Sequence, residues 1–110
     1  MAYDEDLANR LRELLADEHP ITEKKMFGGL AFLLDGNMTV AASGQGGLLA
    51  RIDPDDTDAM LAKPHAGLME MRGRSMAGWI RVAPEGVRTK RDLQPWVKRS
   101  LAYVKTLPAK

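Results

Sequence analysis

The sequence has no cysteine, few aromatic residues and no long apolar run, and these absences exclude several classes of protein. Without cysteine, the 110-residue chain has no disulfide framework, thiolate nucleophile, thiolate zinc site or iron–sulfur cluster. No run approaches the roughly 18 consecutive apolar residues of a membrane-spanning helix. The start of the chain carries Asp4, Glu5 and Asp6, whereas a signal peptide begins with basic and apolar residues. We therefore expect a cytoplasmic protein that does not enter a membrane.

The remaining composition is that of a globular domain. Apolar residues make up 45% and charged residues 28% of the chain, which excludes a disordered or collagen-like protein. A chain of this length can bury one hydrophobic core without disulfides or metals. No repeat, low-complexity tract or linker divides the sequence, so residues 1–110 are expected to form a single domain.

Apolar residues at helical spacing mark both ends of the chain. A stripe that begins with Leu7 and Leu11, behind the N-cap candidate Asp4, predicts a helix over about residues 4–18. A closing helix is predicted to start at Asp92, with Pro95 in its first turn and an apolar face of Leu93, Trp96, Val97, Leu101 and Val104. The acidic residues 53–58 predict a short helix in the middle, because their side chains can cap free amide groups.

Between these helices, apolar runs separated by glycine-rich turns predict strands. The runs are residues 29–34, 38–42, 48–52, 68–72 and 79–82, with residues 21–26 as a weaker candidate before them. Short turns between sequential strands favour antiparallel pairing. The sequence thus predicts a two-layer α+β domain, with an antiparallel sheet of about five strands, helices at both ends and a short helix in the middle.

The usual catalytic and metal-binding patterns are incomplete. His19 and His65 are the only histidines and do not lie at metal-ligand spacing. The aspartates of residues 53–58 lack the central glycine and terminal glutamate of an EF-hand loop. The glycine-rich residues 44–47 lead into a predicted strand, whereas a phosphate loop leads into a helix. We expect a non-enzymatic protein with no cofactor and no metal.

Charge is divided unevenly along the chain, although the net charge is only +1. Residues 1–71 carry six basic and thirteen acidic side chains, and residues 72–110 carry ten basic and two acidic ones. One interpretation is a surface that binds nucleic-acid phosphates, with Lys24, Lys25, Arg72, Arg74, Arg81, Arg88, Lys90 and Arg91 as candidate contacts. The alternative is that the acidic and basic segments pack against each other and cancel. The sequence leaves both interpretations open.

The most specific segment is Lys24-Lys25-Met26-Phe27-Gly28-Gly29, followed by Phe32 and Gly36. It resembles the signature of the TfoX N-terminal domain family, named for the Sxy/TfoX regulators of bacterial competence. Weaker matches at residues 49–53 and 71–76, at Trp79 and at Trp96, extend the resemblance over about residues 4–107. The resemblance implies a fold similar to secretion-chaperone-like domains, in the order helix, three strands, helix, two strands, helix.

Details of packing follow from this motif. Gly28 and Gly29 are expected to let the backbone bend or approach another segment closely, at a place where a Cβ is excluded. Phe27 and Trp79 are expected to pack between the sheet and the helices.

The resemblance also implies a function. The competence regulators are similar to transcriptional coactivators that work with the cyclic-AMP receptor protein, and they carry a second, C-terminal domain. This sequence ends at Lys110, so we expect a stand-alone N-terminal-type domain without catalytic residues. The first hypothesis is a regulatory or adaptor domain, linked to transcription or competence, that acts through a protein partner and nucleic acid. The alternative is a homodimeric peptide-binding module resembling secretion chaperones, with an apolar surface formed by Met60, Met69, Met71 and Met76.

Overall fold

Three α-helices and six strands make up the part of the chain that the structure describes. The structure is a computed structural model that describes residues 3–18, 21–26, 28–44, 46–71 and 74–108, with the side chains of residues 70, 71 and 74–77 outside the description. The helices are α1 (Glu5–Leu14), α2 (Thr57–Leu61) and α3 (Lys90–Val104). The strands are β1 (Ile21–Met26), β2 (Gly29–Leu34), β3 (Asn37–Ala42), β4 (Leu48–Arg51), β5 (Ala66–Met71) and β6 (Arg74–Val82). The predicted α+β class is confirmed, with helices at both ends and a short one in the middle.

All six strands form one antiparallel sheet in the order β1-β2-β3-β4-β6-β5. The first four strands are consecutive neighbours, as the short turns predict. β6 lies between β4 and β5. The connection from β4 to β5 contains a short 3₁₀ helix at Pro54–Asp56 and α2, and it leaves one strand position free, which β6 fills. Four strands precede the middle helix, one more than the resemblance implies, since the weakly alternating Ile21–Met26 pairs with β2 along its full length.

The hydrophobic core lies between one face of the sheet and the two terminal helices. Helix residues in this core include Leu7, Leu11, Leu93 and Trp96, and all four are buried. The strands contribute every second residue to it, namely Leu30, Phe32, Val40, Ala42, Leu48, Ala50, Ile80 and Val82. This alternation follows from strand geometry, in which successive side chains point to opposite faces. The other half of the strand residues therefore faces away from α1 and α3.

Capping side chains set where the helices begin. The Asp4 carboxylate accepts hydrogen bonds from the backbone amides of Asp6 at 2.9 Å and Leu7 at 3.2 Å, as predicted, and α1 ends at Leu14, earlier than the predicted residue 18. The final helix begins at Lys90 and not at Asp92, because the hydroxyl of Thr89 accepts from the Asp92 amide at 3.2 Å and caps it. Pro95 consequently lies in the second turn of α3.

The glycines of the family-type motif lie against another turn of the chain. Gly28 has a φ of +78°, in the left-handed region that favours glycine. A Cβ on Gly29 would lie 2.3 Å from the carbonyl oxygen of Ala42, and a Cβ on Gly44 would lie 2.7 Å from the carbonyl oxygen of Gly28. The β1–β2 turn thus packs backbone to backbone on the end of β3, which confirms the expected close approach.

Gly29→Ala is expected to lower the free energy of unfolding by about 2–3 kcal/mol, because the new methyl group would overlap a backbone carbonyl that cannot rotate away. Urea unfolding of the two proteins measures the difference. Gly67→Ala in β5 is the matched control, because no atom lies within 4 Å of its Cβ position, and its effect should stay within about 0.5 kcal/mol. Equal effects of the two substitutions would contradict the close approach.

Candidate functional site

One face of the sheet carries an apolar surface to which neither α1 nor α3 contributes a residue. Its centre is formed by the buried residues Ala31, Ala41 and Leu49, and half-buried apolar side chains surround them: Met26, Leu33, Met38, Met69 and Trp79. These eight residues define the open face. They come from all six strands, so the surface extends across the whole sheet.

A groove of about 120 Å³ runs into the open face. Small side chains form its floor, since Ala31 of β2 lies opposite Ala41 of β3. Methionines with flexible, polarizable side chains form its walls. The full lining is Met26, Gly29, Ala31, Met38, Ala41, Ala42, Ser43, Gly44, Leu49, Met69 and Arg81. A depression with small residues at the centre and adaptable residues at the rim is suited to accept an apolar side chain.

Residues that are paired across neighbouring strands form a row through the middle of the open face. A cation lies at each end of this row. Lys24 lies opposite Ala31, and Leu49 lies opposite both Ala41 and Arg81. Four strand spacings separate Lys24 from Arg81, which corresponds to roughly 19 Å across the sheet. The open face is therefore an apolar strip between two positive charges.

A third cation, Arg51, lies at the end of β4 beside this row. Its guanidinium carbon is 5.2 Å from the ring centre of Trp79 and 5.7 Å from that of Tyr103 in α3, so the cation is in contact with two aromatic rings. In the described residues, no acceptor is hydrogen-bonded to this guanidinium. Sequence reasoning did not select Arg51 as a contact residue, because Trp79 and Tyr103 are distant in sequence and no local pattern predicts their convergence.

The structure distributes the predicted nucleic-acid contacts over several elements. Lys24 and Lys25 are exposed on the edge strand β1 and point to opposite faces, while Arg81 is half-buried and lines the groove. Three exposed cations lie around the start of α3, namely Arg88, Lys90 and Arg91. Arg72 and the side chain of Arg74 lie outside the described residues.

Ion pairs join the basic end of the chain to its acidic part. Lys90 pairs with Glu13, Lys105 Nζ lies 2.8 Å from Glu18, and Arg99 lies 3.6 Å from Asp56. Each pair has one member in residues 72–110 and the other in residues 1–71. Exposed pairs of this kind contribute little stability, but they compensate part of the charge division within the domain.

Two expectations about the apolar residues are wrong. Met60 is only 1% exposed and packs in the core with the helices, so it forms no part of a contact surface. Trp79 lies on the open face, because strand alternation directs its neighbour Ile80 to the helices and Trp79 to the opposite side. Met69 is on the open face as the methionine hypothesis requires, and Met38 joins it there. The side chains of Met71 and Met76, and all of Phe27, lie outside the described residues.

The acidic and histidine side chains of the described residues are the candidate ligands for a metal site. Residues 3–18, 21–26, 28–44, 46–71 and 74–108 contain no group of three or more histidine, aspartate or glutamate side chains placed to hold a metal ion. The Asp53 carboxylate accepts a hydrogen bond from the Asp55 amide at 2.9 Å, which confirms the capping role predicted for the acidic run. No helix among the described residues combines the length and apolar character needed to cross a membrane.

The fold defines the class of this protein as a small α+β domain with one antiparallel sheet whose terminal helices pack on a single face. Comparison with protein families finds a match to the TfoX N-terminal domain over residues 13–104. The chain belongs to the TfoX N-terminal domain family, and this membership indicates a regulatory domain of the competence-regulator type. A search of curated proteins gives no match.

The edge strand that carries Lys24 and Met26 is tied to α1 by an ion pair. Arg12 donates from Nε and Nη2 to the two carboxylate oxygens of Glu23, both at 2.8 Å. This hydrogen bonding lowers the pKa of Glu23 and raises the pKa of Arg12. Because the folded-state pKa of Glu23 is depressed, the stabilisation is present above the unfolded-state pKa and is lost as the pH falls through the folded-state value.

Glu23→Gln is expected to lower the free energy of unfolding by about 0.3–1 kcal/mol at neutral pH, a small effect because both side chains are more than a third exposed. The difference from the unsubstituted protein should shrink as the pH falls below the ordinary glutamate pKa of about 4.3, because the unfolded state then binds the proton first. Urea unfolding at neutral and acidic pH measures both values. Glu85→Gln, at an exposed carboxylate, is the control for charge removal at neutral pH. A difference that persists unchanged in acid would contradict this account.

Proposed function

We propose that this chain is a non-enzymatic regulatory domain that binds a protein partner through the open face. The observation that supports the proposal is an apolar, grooved sheet surface on the side away from α1 and α3. Apolar grooves with flexible side chains in their walls are common binding sites for apolar groups of a ligand. A link to transcription or competence follows from the family and is part of the proposal.

The properties of the open face favour a peptide or protein segment as the ligand. Apolar side chains dominate the groove, and its walls include the adaptable residues Met26, Met38 and Met69. Methionine-rich surfaces can repack around different apolar side chains. An extended segment could lie across the strip and place one side chain on the alanine floor.

A second copy of the chain is a weaker occupant than a different protein. A two-fold dimer through the open face would bring Lys24, Arg51 and Arg81 of both copies together, and such like charges repel. Symmetric antiparallel pairing centred on the edge strand β1 is also disfavoured. It would set Glu23 opposite Glu23 of the second copy, or Lys24 opposite Lys24, and like charges directly opposite destabilise a sheet.

Replacement of Met38 and Met69 by glutamine is expected to weaken peptide binding, because it removes apolar surface from the groove wall without changing the charge. A library of random short peptides is selected on the immobilised full chain, and the recovered peptides are titrated against the original protein and the Met38→Gln/Met69→Gln variant. At least a tenfold loss of affinity is expected, about 1.4 kcal/mol.

Ala102→Gln, at an exposed position of α3, is the matched control and should leave peptide affinity unchanged. Circular dichroism and urea unfolding check that both variants fold. Failure to recover any peptide, or recovered peptides that bind the double variant as tightly as the original chain, would overturn the proposed function. A dimer in sedimentation equilibrium that dissociates on Met38→Gln/Met69→Gln would instead support the homodimeric module.

Nucleic acid is the second candidate partner, and the observation that favours it is the group of exposed cations around the start of α3. Because Lys90 is paired with Glu13, we propose that Arg88 and Arg91 would carry such binding. Anisotropy of a labelled DNA duplex and a labelled RNA, at low and moderate salt, should then show binding that weakens with salt.

Arg88→Glu/Arg91→Glu is expected to lower this nucleic-acid affinity at least tenfold, since two phosphate contacts become repulsive. Lys98→Glu, an exposed charge reversal farther along α3, is the control and should have a smaller effect. Absence of binding at low salt, or equal effects of the two variants, would remove nucleic acid as a partner.

A further inference from the structure

We propose that the segment bound by the open face is acidic as well as apolar, and that Arg51 selects it by binding a carboxylate. This inference rests on the proposed protein-binding function and names the chemistry of the partner. The partner segment would place an apolar side chain in the groove beside Leu49 and a glutamate or aspartate against the Arg51 guanidinium.

Positive charges lie beside the apolar residues of the open face. The strand positions on this side bear Lys24, Arg51 and Arg81, and among the residues whose side chains are described they bear no carboxylate. Glu23 in the same edge strand points to the helix side, where Arg12 binds it. An apolar strip with Lys24 and Arg51 beside it, and no carboxylate among its described side chains, is complementary to a ligand that carries apolar and acidic groups together.

Two aromatic rings contact the guanidinium of Arg51. The guanidinium contacts the rings of Trp79 and Tyr103, and these contacts use none of its N–H groups as hydrogen-bond donors to an oxygen, so the N–H groups can bind a ligand. The rings also restrict the side chain before binding, so less conformational entropy is lost when a carboxylate pairs with it. A planar guanidinium offers two parallel N–H donors that match the two oxygens of a carboxylate.

Arg51 lies close to the groove, two residues after the groove residue Leu49. Arg51 follows Leu49 by two residues on β4, so both side chains face the same side of the sheet. Trp79 lies opposite Arg51, and Arg81 lies opposite Leu49. Arg51 and Arg81 are therefore diagonal neighbours on adjacent strands, about 7–8 Å apart. A carboxylate bound by Arg51 would therefore lie close enough to the groove for a neighbouring apolar side chain to enter it.

The same chemistry argues against a second copy as the occupant. The partner must supply carboxylates next to apolar residues, and the open face of another copy supplies only cations among its described side chains. The phosphates of a nucleic acid could also pair with Arg51, but the methionine walls and alanine floor offer a sugar–phosphate backbone no comparable contact. A protein segment uses both parts of the surface.

The test compares peptide selections from one random library on the original chain and on Arg51→Gln. Peptides recovered on the original chain should combine apolar residues with glutamate or aspartate, and those recovered on Arg51→Gln should lose the acidic enrichment. Synthetic peptides from the first pool should bind Arg51→Gln about tenfold more weakly, and their glutamine-for-glutamate versions should bind the two proteins equally.

Two further variants keep the result interpretable. Lys98→Gln removes an exposed positive charge of α3, outside the open face, and should leave peptide affinity unchanged. Arg51→Lys keeps the charge but not the planar fork, so an intermediate loss of about threefold is expected, and this variant serves if Arg51→Gln does not fold. Urea unfolding reports the folding of each variant.

Each outcome supports or overturns a specific statement. Apolar peptides without acidic enrichment, or acidic peptides that bind Arg51→Gln and Arg51→Lys as tightly as the original chain, would overturn the role of Arg51 and leave the proposed function standing. Absence of peptides that depend on Met38 and Met69 would overturn the proposed function itself. A labelled DNA duplex that displaces the peptides, with Arg51-dependent affinity, would assign Arg51 to phosphate instead.

Discussion

The packing of α1 and α3 on one face of the sheet is the interaction on which the rest of the structure depends. Both helices direct leucine, tryptophan and valine side chains into the same layer, so one set of alternate strand residues forms the core. The other set, which includes Ala31, Ala41 and Leu49, is left on the opposite side although it is also apolar. The sheet therefore has a second apolar cluster outside the layer that the helices cover, and the groove runs into this cluster.

Much of the element order could be predicted from the sequence, because it depends on local periodicity and local caps. Leu7 and Leu11 repeat at helical spacing, and Asp4 caps the first helix from a neighbouring position in the chain. The sequence did not predict in the same way whether a residue such as Met60 or Trp79 packs in the core or faces away from the helices. β2 and β3 are almost continuously apolar, so their residues do not indicate which face the helices will cover. The Arg51–Trp79–Tyr103 contact joins three distant segments and has no local signature.

The glycine motif connects the family signature to the open face. A Cβ added to Gly29 would overlap the backbone carbonyl of Ala42, and a Cβ added to Gly44 would overlap the backbone of Gly28. Both Gly29 and Gly44 also line the groove, next to Met26 of the same motif. A side chain at either glycine would therefore separate two turns and fill the end of the groove at once. The motif that characterises the family shapes the surface to which we assign function.

The uneven charge of the sequence takes a different form in three dimensions. Acidic residues of α1, of the segment after α1 and of the segment before α2 pair with Lys90, Lys105 and Arg99 on the helical side, where opposite charges compensate each other. Lys24, Arg51 and Arg81 lie on the other side of the sheet, where the described strand positions carry no carboxylate. The domain is thus electrostatically balanced around its helices and positive on its apolar face. A ligand that approaches the open face meets Lys24 and Arg51 beside its apolar residues, which favours a partner that brings carboxylates of its own.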